Sequence, residues 1–335
     1  MIHIRKIYDS RVRHLNFRAQ LATLITHKKY SLCRGLDLYT ARKYPLNHPR
    51  KLFTTTGNLL QGRTNGPEAV LKSILNPKFI EHLRVDLTGE KIAWIISGGY
   101  PKGIQRRYSA FLIGPNINFL PEEEGVLDTI KPCQYLVPSD WVLNLFNESI
   151  PALSGKLSVW PAGIEVPDVS PILRTKVILY FKRKEWVGHA RVEIDEIKSV
   201  IAKLGFDPIE IFYGEYRESS FNEILQKTKF AIWFGETESQ GMALLRCWAN
   251  NVPTLIKTAE RFAHESNSYP ASAAPYLSPD TGVFFNGMIP TALEVMQILN
   301  IAKNGTSRNW VLENLSLQKS AKILSGILQH EVISK

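Results

Sequence analysis

The sequence predicts a two-domain α/β protein, and three observations support that fold class. The chain has 335 residues, 44% of them hydrophobic, which is enough for two ordinary domains with apolar cores. From residue 51 onward, short apolar runs alternate with segments of helical periodicity, a pattern typical of parallel sheets covered by helices. A proline-containing stretch at residues 161–171 divides this alternation into two series, so we expect two Rossmann-like domains joined by a linker.

The two series define the predicted elements and domain boundaries. In the first series, strands are predicted at residues 52–56, 91–97, 109–113, 134–137 and 156–159, with a helix at 66–83. In the second, strands are predicted at residues 176–181, 209–213, 230–234, 254–257 and 282–284, with helices at 190–204 and 219–227. We therefore expect an N-terminal domain at 51–165, a C-terminal domain at 172–305 and a helical tail at 306–335.

The positive charge of the chain is concentrated at its N-terminus. The net charge is +10, and residues 1–51 hold twelve of the 41 Lys and Arg residues but only two acids, so the remainder has no net charge. Residues 1–50 are therefore predicted to be a basic extension. Three interpretations stay open: a tail or packed extension, a basic amphipathic helix on an anionic membrane, and a targeting peptide. No nucleic-acid partner is expected, because the basicity does not extend over the rest of the chain.

The cysteines and apolar runs exclude other classes. Cys33, Cys133 and Cys247 are widely spaced and match neither a disulfide framework nor a zinc pattern. Such cysteine use favours a reducing compartment, so a cytoplasmic location is expected, with peripheral membrane contact through residues 1–50 as an alternative. The longest apolar runs have about five residues, too few for a membrane-spanning helix.

The segment with the strongest functional pattern follows the strand at residues 230–234. A polar turn containing Gly235, Glu238 and Gly241 leads from that strand into a predicted helix. Ligands of α/β folds bind at the carboxyl ends of parallel strands, and free N–H groups at a helix N-terminus favour an anion such as a diphosphate. Capping of the helix by Glu238 is the alternative, because an acid at this position is favourable by about 0.3–1 kcal/mol without any function.

This segment resembles the nucleotide-sugar site of retaining GT-B glycosyltransferases. Glu238-Ser239-Gln240-Gly241, followed by Asn251-Val252-Pro253-Thr254, is similar to that family's donor motif, and residues 135–141 and 160–164 are similar to its strand–Pro-Ser–helix segment and the stretch before its linker. The resemblance implies two domains that face each other across a cleft. It also implies transfer of a sugar from a nucleotide-sugar to an acceptor hydroxyl, with retention of configuration and no metal or other cofactor. The acceptor class is open between a glycan, a lipid and a small molecule.

The resemblance also implies roles for particular residues. Glu238 is expected to hydrogen-bond the donor sugar, and Lys182, with Arg183 and Lys184, to hold the diphosphate and stabilise the leaving group. A solvated basic turn is the alternative for residues 182–184. Other expected donor contacts are Ser239, Gln240, Gly241, Tyr213 and Gly214. Gly62, Arg63 and Asn65 are expected to form a cleft loop, with an ordinary turn as the alternative.

One residue departs from the family's pattern. The family has a second acid eight residues after the first, where this sequence has Arg246, and a guanidinium only donates hydrogen bonds. Arg246 is therefore expected either to reach a phosphate or to fold away from the site. Two alternative functions follow from these features: a degenerate GT-B protein that binds a sugar-nucleotide or glycan without turnover, and a membrane-surface adaptor that uses the basic N-terminus.

Overall fold

The computed structural model describes residues 28–40, 66–87, 89–97, 106–116, 133–168, 173–183, 187–188, 190–264 and 267–333. Within them the chain forms two compact units. The first comprises the described residues up to Gly163 and those from Ser320 onward, and the second comprises Ile164–Lys319. Each unit contains its own largely or wholly parallel sheet. The predicted α/β class is therefore confirmed.

The first unit is built on a six-stranded sheet whose strands lie in sequence order. β1 and β2 form an antiparallel hairpin, and each later strand pairs in parallel with the one before it. The strands are β1 (Lys28–Cys33), β2 (Leu36–Thr40), β3 (Ile92–Ser97), β4 (Ala110–Asn116), β5 (Cys133–Val137) and β6 (Leu157–Val159). Its helices are α1 (Gly66–Ile74), α2 (Pro77–His82) and α3 (Asp140–Ser149). Phe111, Ile113 and Tyr135 pack with Val142 and Phe146 of α3 in one core cluster.

The hairpin β1–β2 lies in residues that the sequence assigns to the basic extension. Leu36 and Leu38 of β2 are fully buried, and β2 pairs with β3, so residues 28–40 belong to the sheet. The single helix predicted at residues 66–83 is wrong, because Pro77 starts a second helix. Asn76 caps that helix by accepting a hydrogen bond from the Lys78 N–H over 3.0 Å. Because Asn76 precedes a proline, helical backbone geometry is disfavoured at this residue.

Two predictions for the N-terminal region fall outside the described residues. These are the amphipathic helix, whose apolar positions lie before residue 28, and the strand at 52–56. Among the residues that the structure describes, no helix has the length and apolar content needed to cross a bilayer.

The end of the chain packs into the first unit. Helix α9 (Leu317–Ile327), which continues into a short π-helical segment, enters this unit at Ser320. The fully buried Trp160 indole donates to the carbonyl of Ser320 over 3.0 Å, and the Ser320 hydroxyl donates to the carbonyl of Pro161 over 2.7 Å. The N–H of Arg84 donates to the hydroxyl of Ser325 over 2.9 Å. Residues before the linker and residues near the end of the chain thus form one core.

The second unit has a five-stranded, fully parallel sheet in the order β13-β10-β9-β7-β8. Its strands are β7 (Lys176–Phe181), β8 (Asp207–Phe212), β9 (Thr228–Phe234), β10 (Thr254–Lys257) and β13 (Gly282–Phe285), and β11 (Arg261–His264) and β12 (Asn267–Pro270) form a separate hairpin. Its helices are α4 (Arg191–Lys203), α5 (Glu218–Gln226), α6 (Met242–Ala249), α7 (Ala292–Asn304) and α8 (Ser307–Asn314).

Both faces of this sheet are covered. Every residue from Val177 to Phe181 is buried, as expected for a central parallel strand. One face packs on α5, α6 and α8, through residues such as Phe221 and Trp248, and the other packs on α4 and α7, through residues such as Ile197 and Ile298. The strands follow the order 2-1-3-4-5 when numbered along this unit, so the winding direction reverses between β7 and β9. Ligands of open α/β sheets bind at the carboxyl ends of the strands beside such a reversal.

Candidate functional site

The carboxyl ends of β7 and β9 bring together two residues that the sequence singles out. Lys182 directly follows β7, and its backbone N–H donates to the carbonyl of Phe234, the last residue of β9, over 3.0 Å. The Lys182 ammonium group forms an ion pair with Oε1 of Glu238, in the loop after β9. Their side chains are only 20% and 18% exposed. A cation and an acid from two strands therefore meet where the winding of the sheet reverses.

The loop between β9 and α6 fixes the position of Glu238. The Glu238 N–H donates to the carbonyl of Ser272 over 2.9 Å. Gly241, the N-cap of α6, has φ 77° and ψ 49°, a left-handed conformation that favours glycine. A Cβ on Gly241 would lie 3.7 Å from the Cβ of Glu238, so Glu238 lies beside the start of α6. The unpaired N–H groups of that first turn favour an anion at the same edge of the sheet.

Tyr213 adds an exposed aromatic ring beside this pair. It follows β8, and its N–H donates to the carbonyl of Phe181 over 2.9 Å. The Lys182 Nζ lies 4.5 Å from the centroid of its ring, a cation–π contact, while the residue is 54% exposed. Gly214, which comes next, has φ 77° and turns the chain toward α5. The carboxyl ends of three adjacent strands thus contribute to one cluster.

A second ion pair lies further from the core. Arg183 contacts Glu236 through both its Nε, at 2.7 Å from Oε1, and its Nη2, at 2.9 Å from Oε2. The Arg183 side chain is 61% exposed, so this bidentate pair is solvated. Lys182 and Arg183 are therefore each held by an acid of the same loop, one at depth and one at the surface.

Arg246 folds onto an acid that the sequence reasoning missed. Its Nη2 lies 2.6 Å from Oε1 of Glu218, the first residue of α5, and the two side chains are only 16% and 17% exposed. The structure thus adds an ion pair to the two outcomes expected for Arg246, a phosphate contact and folding away from the site, which both stay predictions. The available signal was the arginine itself, since a half-buried guanidinium needs an acidic partner.

A buried aromatic cluster lies below the site. The rings of Tyr180 and Trp233 stack at 3.6 Å, and the hydroxyls of Tyr180 and Tyr216 are 3.3 Å apart. Burial raises the pKa of Tyr216 to about 12 and raises the pKa of Tyr180 as well. Among the described residues, the Trp233 Nε1–H finds no hydrogen-bond partner. This cluster gives the site a rigid, apolar base.

The remaining predicted residues divide into two groups. Ser239 is exposed and Gln240 is buried within the loop that carries Glu238. Lys184, Gly62, Arg63 and Asn65 lie outside the described residues. In the part of the chain that the structure covers, no three His, Cys, Asp or Glu side chains form a group that could hold a metal ion.

Comparisons with known proteins give similar folds at low identity. No protein-family model and no curated protein matches the chain. A glycosyltransferase from Rickettsia africae is 13% identical, with a TM-score of 0.46 over 81% of this chain and 83% of that one. Anabaena HepE in complex with UDP-glucose is 10% identical, with a TM-score of 0.44 over 80% of this chain and 97% of that one.

A longer protein is also among the similar structures. A mutant of S. aureus TarM is 12% identical, with a TM-score of 0.37 over 65% of this chain. The chain spans 55% of the length of that TarM structure.

Proposed function

We propose that this protein is a glycosyltransferase that moves a sugar from a nucleotide-sugar to an acceptor hydroxyl. The observation that carries the proposal is the ion pair between Lys182 and Glu238 at the winding reversal of the second sheet. A diphosphate-linked sugar needs a cation for its charged half and an acceptor of hydrogen bonds for its hydroxyls. Lys182 supplies the cation, Glu238 supplies the hydrogen-bond acceptor, and the two side chains are in contact.

Lys182 is proposed to bind the diphosphate. An incoming phosphate oxygen would compete with the Glu238 carboxylate for the ammonium group, and the N–H groups at the start of α6 would support the same anion. Arg183, in its solvated pair with Glu236, is a second cation at the same edge. The exposed ring of Tyr213 offers a flat surface for the base of the nucleotide.

Glu238 is proposed to position the donor sugar. Once Lys182 turns toward the diphosphate, the Glu238 Oε1 that it contacted can accept hydrogen bonds from sugar hydroxyls and hold the ring. The loop anchored by Ser272 and Gly241 keeps this acid near the cation in the absence of donor. The ion pair thus holds both groups in place before the ligand binds.

The proposed reaction breaks the bond between the anomeric carbon and the diphosphate oxygen. That electron pair leaves with the diphosphate, where Lys182 stabilises the added charge. The acceptor oxygen forms the new bond to the anomeric carbon, and its proton leaves to the diphosphate or to solvent. Retention of configuration is proposed from the motif resemblance alone.

A turnover assay over a panel of nucleotide-sugars tests the proposal. We expect at least one donor to be transferred or slowly hydrolysed by the wild-type protein. Glu238→Gln should lower the rate about 10²–10³-fold, the loss typical when one stabilising group of a site is removed. Glu223→Gln, an exposed acid on α5, is the matched control and should leave the rate unchanged.

Two outcomes would contradict the proposal in different ways. If a nucleotide-sugar binds but the wild-type protein never turns it over, the chain is a binding protein and the transferase assignment fails. If no nucleotide-sugar binds at all, the donor site itself is refuted.

A further inference from the structure

A second cluster of basic residues lies in the first unit, at the amino ends of β2, β3 and β4. Residues at this edge of the sheet line an open groove with a volume of about 740 Å³. Four cations line it: Arg34, Lys91, Arg106 and Arg107. Nothing in the proposed transfer reaction uses this edge of the sheet, so the groove needs its own explanation.

The two acids of the groove already have neutral partners. The Tyr108 hydroxyl donates to Oδ2 of Asp37 over 2.6 Å, and the Ser109 hydroxyl donates to Oε2 of Glu90 over 2.7 Å. The first bond links the amino end of β4 to β2 across β3, and the second links the amino ends of the adjacent strands β3 and β4. Hydroxyl groups therefore satisfy part of the hydrogen-bonding capacity of both carboxylates.

The four cations, in contrast, have no ionic partner among the residues that the structure describes. Their side chains are exposed, and none forms an ion pair or hydrogen bond with any residue in the described part of the chain. Because they outnumber the two acids of the groove, its potential is positive. An anion entering the groove would meet cations that are free to bind.

The backbone around the groove is fixed before any ligand arrives. Gly35 has φ 89°, and a Cβ there would lie 2.9 Å from the carbonyl oxygen of Glu90, so the β1–β2 turn packs directly on the neighbouring loop. The N–H of Ile92 donates to the Gly35 carbonyl over 2.8 Å, and the N–H of Ser109 donates to the Lys91 carbonyl over 2.8 Å. A fixed wall lowers the entropic cost of binding.

From this arrangement we infer that the groove binds an acidic oligosaccharide. Carboxylate or sulfate groups of such a chain would pair with the arginines, for which the planar guanidinium is well suited. Its hydroxyls would donate to the Glu90 carboxylate, and a sugar ring would pack on the Tyr108 ring, whose orientation the bond to Asp37 fixes.

The same features disfavour nucleic acid as the ligand. A DNA strand has no hydroxyls along its backbone to donate to the Glu90 carboxylate, and an RNA strand has one per nucleotide. Single strands bind through successive stacked bases, whereas Tyr108 is the one aromatic residue among the residues that line the groove. This inference goes beyond the proposed transfer reaction, because the groove would bind its ligand with no donor present.

Direct binding with the full-length protein tests the inference. The probe is a fluorescently labelled heparin hexasaccharide, and the readout is anisotropy without any nucleotide-sugar. Arg106→Gln combined with Arg107→Gln should weaken binding about tenfold or more. Lys156→Gln combined with Lys322→Gln removes the same charge from exposed sites of the same unit and should change affinity less than about twofold.

Competition experiments separate the ligand classes. Unlabelled polygalacturonate fragments should displace the probe, and neutral maltohexaose should not. Thermal unfolding of both double variants should match the wild type, so that a loss of affinity reports the groove and not misfolding.

Three results would overturn the inference. The first is equal loss in the two double variants, which would mean diffuse attraction by net charge. The second is unchanged affinity in Arg106→Gln/Arg107→Gln. The third is tighter binding of a single-stranded oligonucleotide that depends on the same arginines. None of these results bears on the transferase, because no donor is present.

Discussion

The two basic clusters of the molecule differ in what their cations contact. In the second unit Lys182, Arg183 and Arg246 each form an ion pair with a nearby acid. In the first unit Arg106 and Arg107 face a groove with no ionic partner in the described residues. A paired cation is held in place, and a ligand must displace its acid to bind. An unpaired cation attracts anions at once, with a strong dependence on salt.

The clusters also differ in position, because one lies at the carboxyl ends of the strands of its sheet and the other at the amino ends of the strands of its own sheet. The paired residues follow the carboxyl ends of β7 and β9, where the winding of the sheet reverses. The groove lies at the amino ends of β2, β3 and β4, whose strands follow sequence order with no reversal. The second unit therefore has paired charges at a winding reversal, and the first has a groove whose cations lack an ionic partner among the described residues.

The largest expected effect concerns the Lys182–Glu238 pair. Lys182→Gln and Glu238→Gln should each lower sugar transfer about 10²–10³-fold. The double variant should be little worse than the poorer single variant, because the two groups act on one donor. Steady-state kinetics over this cycle measures the coupling. Fully additive losses would mean that the residues act separately.

The next effect concerns the stability of the second unit. Arg246→Ala should lower the free energy of unfolding by about 2 kcal/mol, between the values for exposed and fully buried pairs, because Glu218 loses its ion pair with the guanidinium. Urea denaturation measures this loss.

Exchange of the two charges sharpens the test. Arg246→Glu combined with Glu218→Arg should recover part of the stability lost in either single variant. No recovery in the exchanged pair would mean that packing of the arginine, and not its charge, stabilises α5 against α6.

A smaller effect is expected at the turn before α6. Gly241→Ala should lower the free energy of unfolding by about 1–2 kcal/mol, because its φ of 77° strains any side chain. Gly326→Ala, in α9, has open space around the new methyl group and should be neutral or stabilising by up to about 1 kcal/mol. Equal thermal shifts in both variants would contradict this account of Gly241.

The smallest expected effect on stability at neutral pH involves Tyr216. This effect grows as the pH rises. Burial raises its pKa from 10.0 to about 12. Between these values the folded protein keeps a proton that the unfolded chain loses, so the stability contribution is complete below pH 10 and is lost as pH rises through about 12. Tyr216→Phe should reduce that alkaline loss of stability. Identical stability–pH curves for the two proteins would contradict it.

The sequence predicts the second unit better than the first, for a physical reason. β7 and β9 contain continuous apolar runs that are followed by Lys182 and Gly235, and local pattern is enough to find them. Residues 28–40 are instead rich in basic and polar residues and become strands only because β2 pairs with β3. Such long-range pairing leaves little local signal.

The sites show the same contrast. The proximity of Lys182 and Glu238 follows from strand order and motif, whereas their roles remain predictions. The partner of Arg246 could not be located, because Glu218 reaches it from another helix. The groove also escaped prediction, because three loops distant in sequence build it.

The most direct test of the account is nucleoside diphosphate binding measured by isothermal titration calorimetry. We predict that at least one nucleoside diphosphate binds the wild-type protein, that Lys182→Gln weakens it about tenfold or more, and that Lys156→Gln leaves it unchanged. Failure of every nucleoside diphosphate to bind, or equal affinity in Lys182→Gln, would contradict the account.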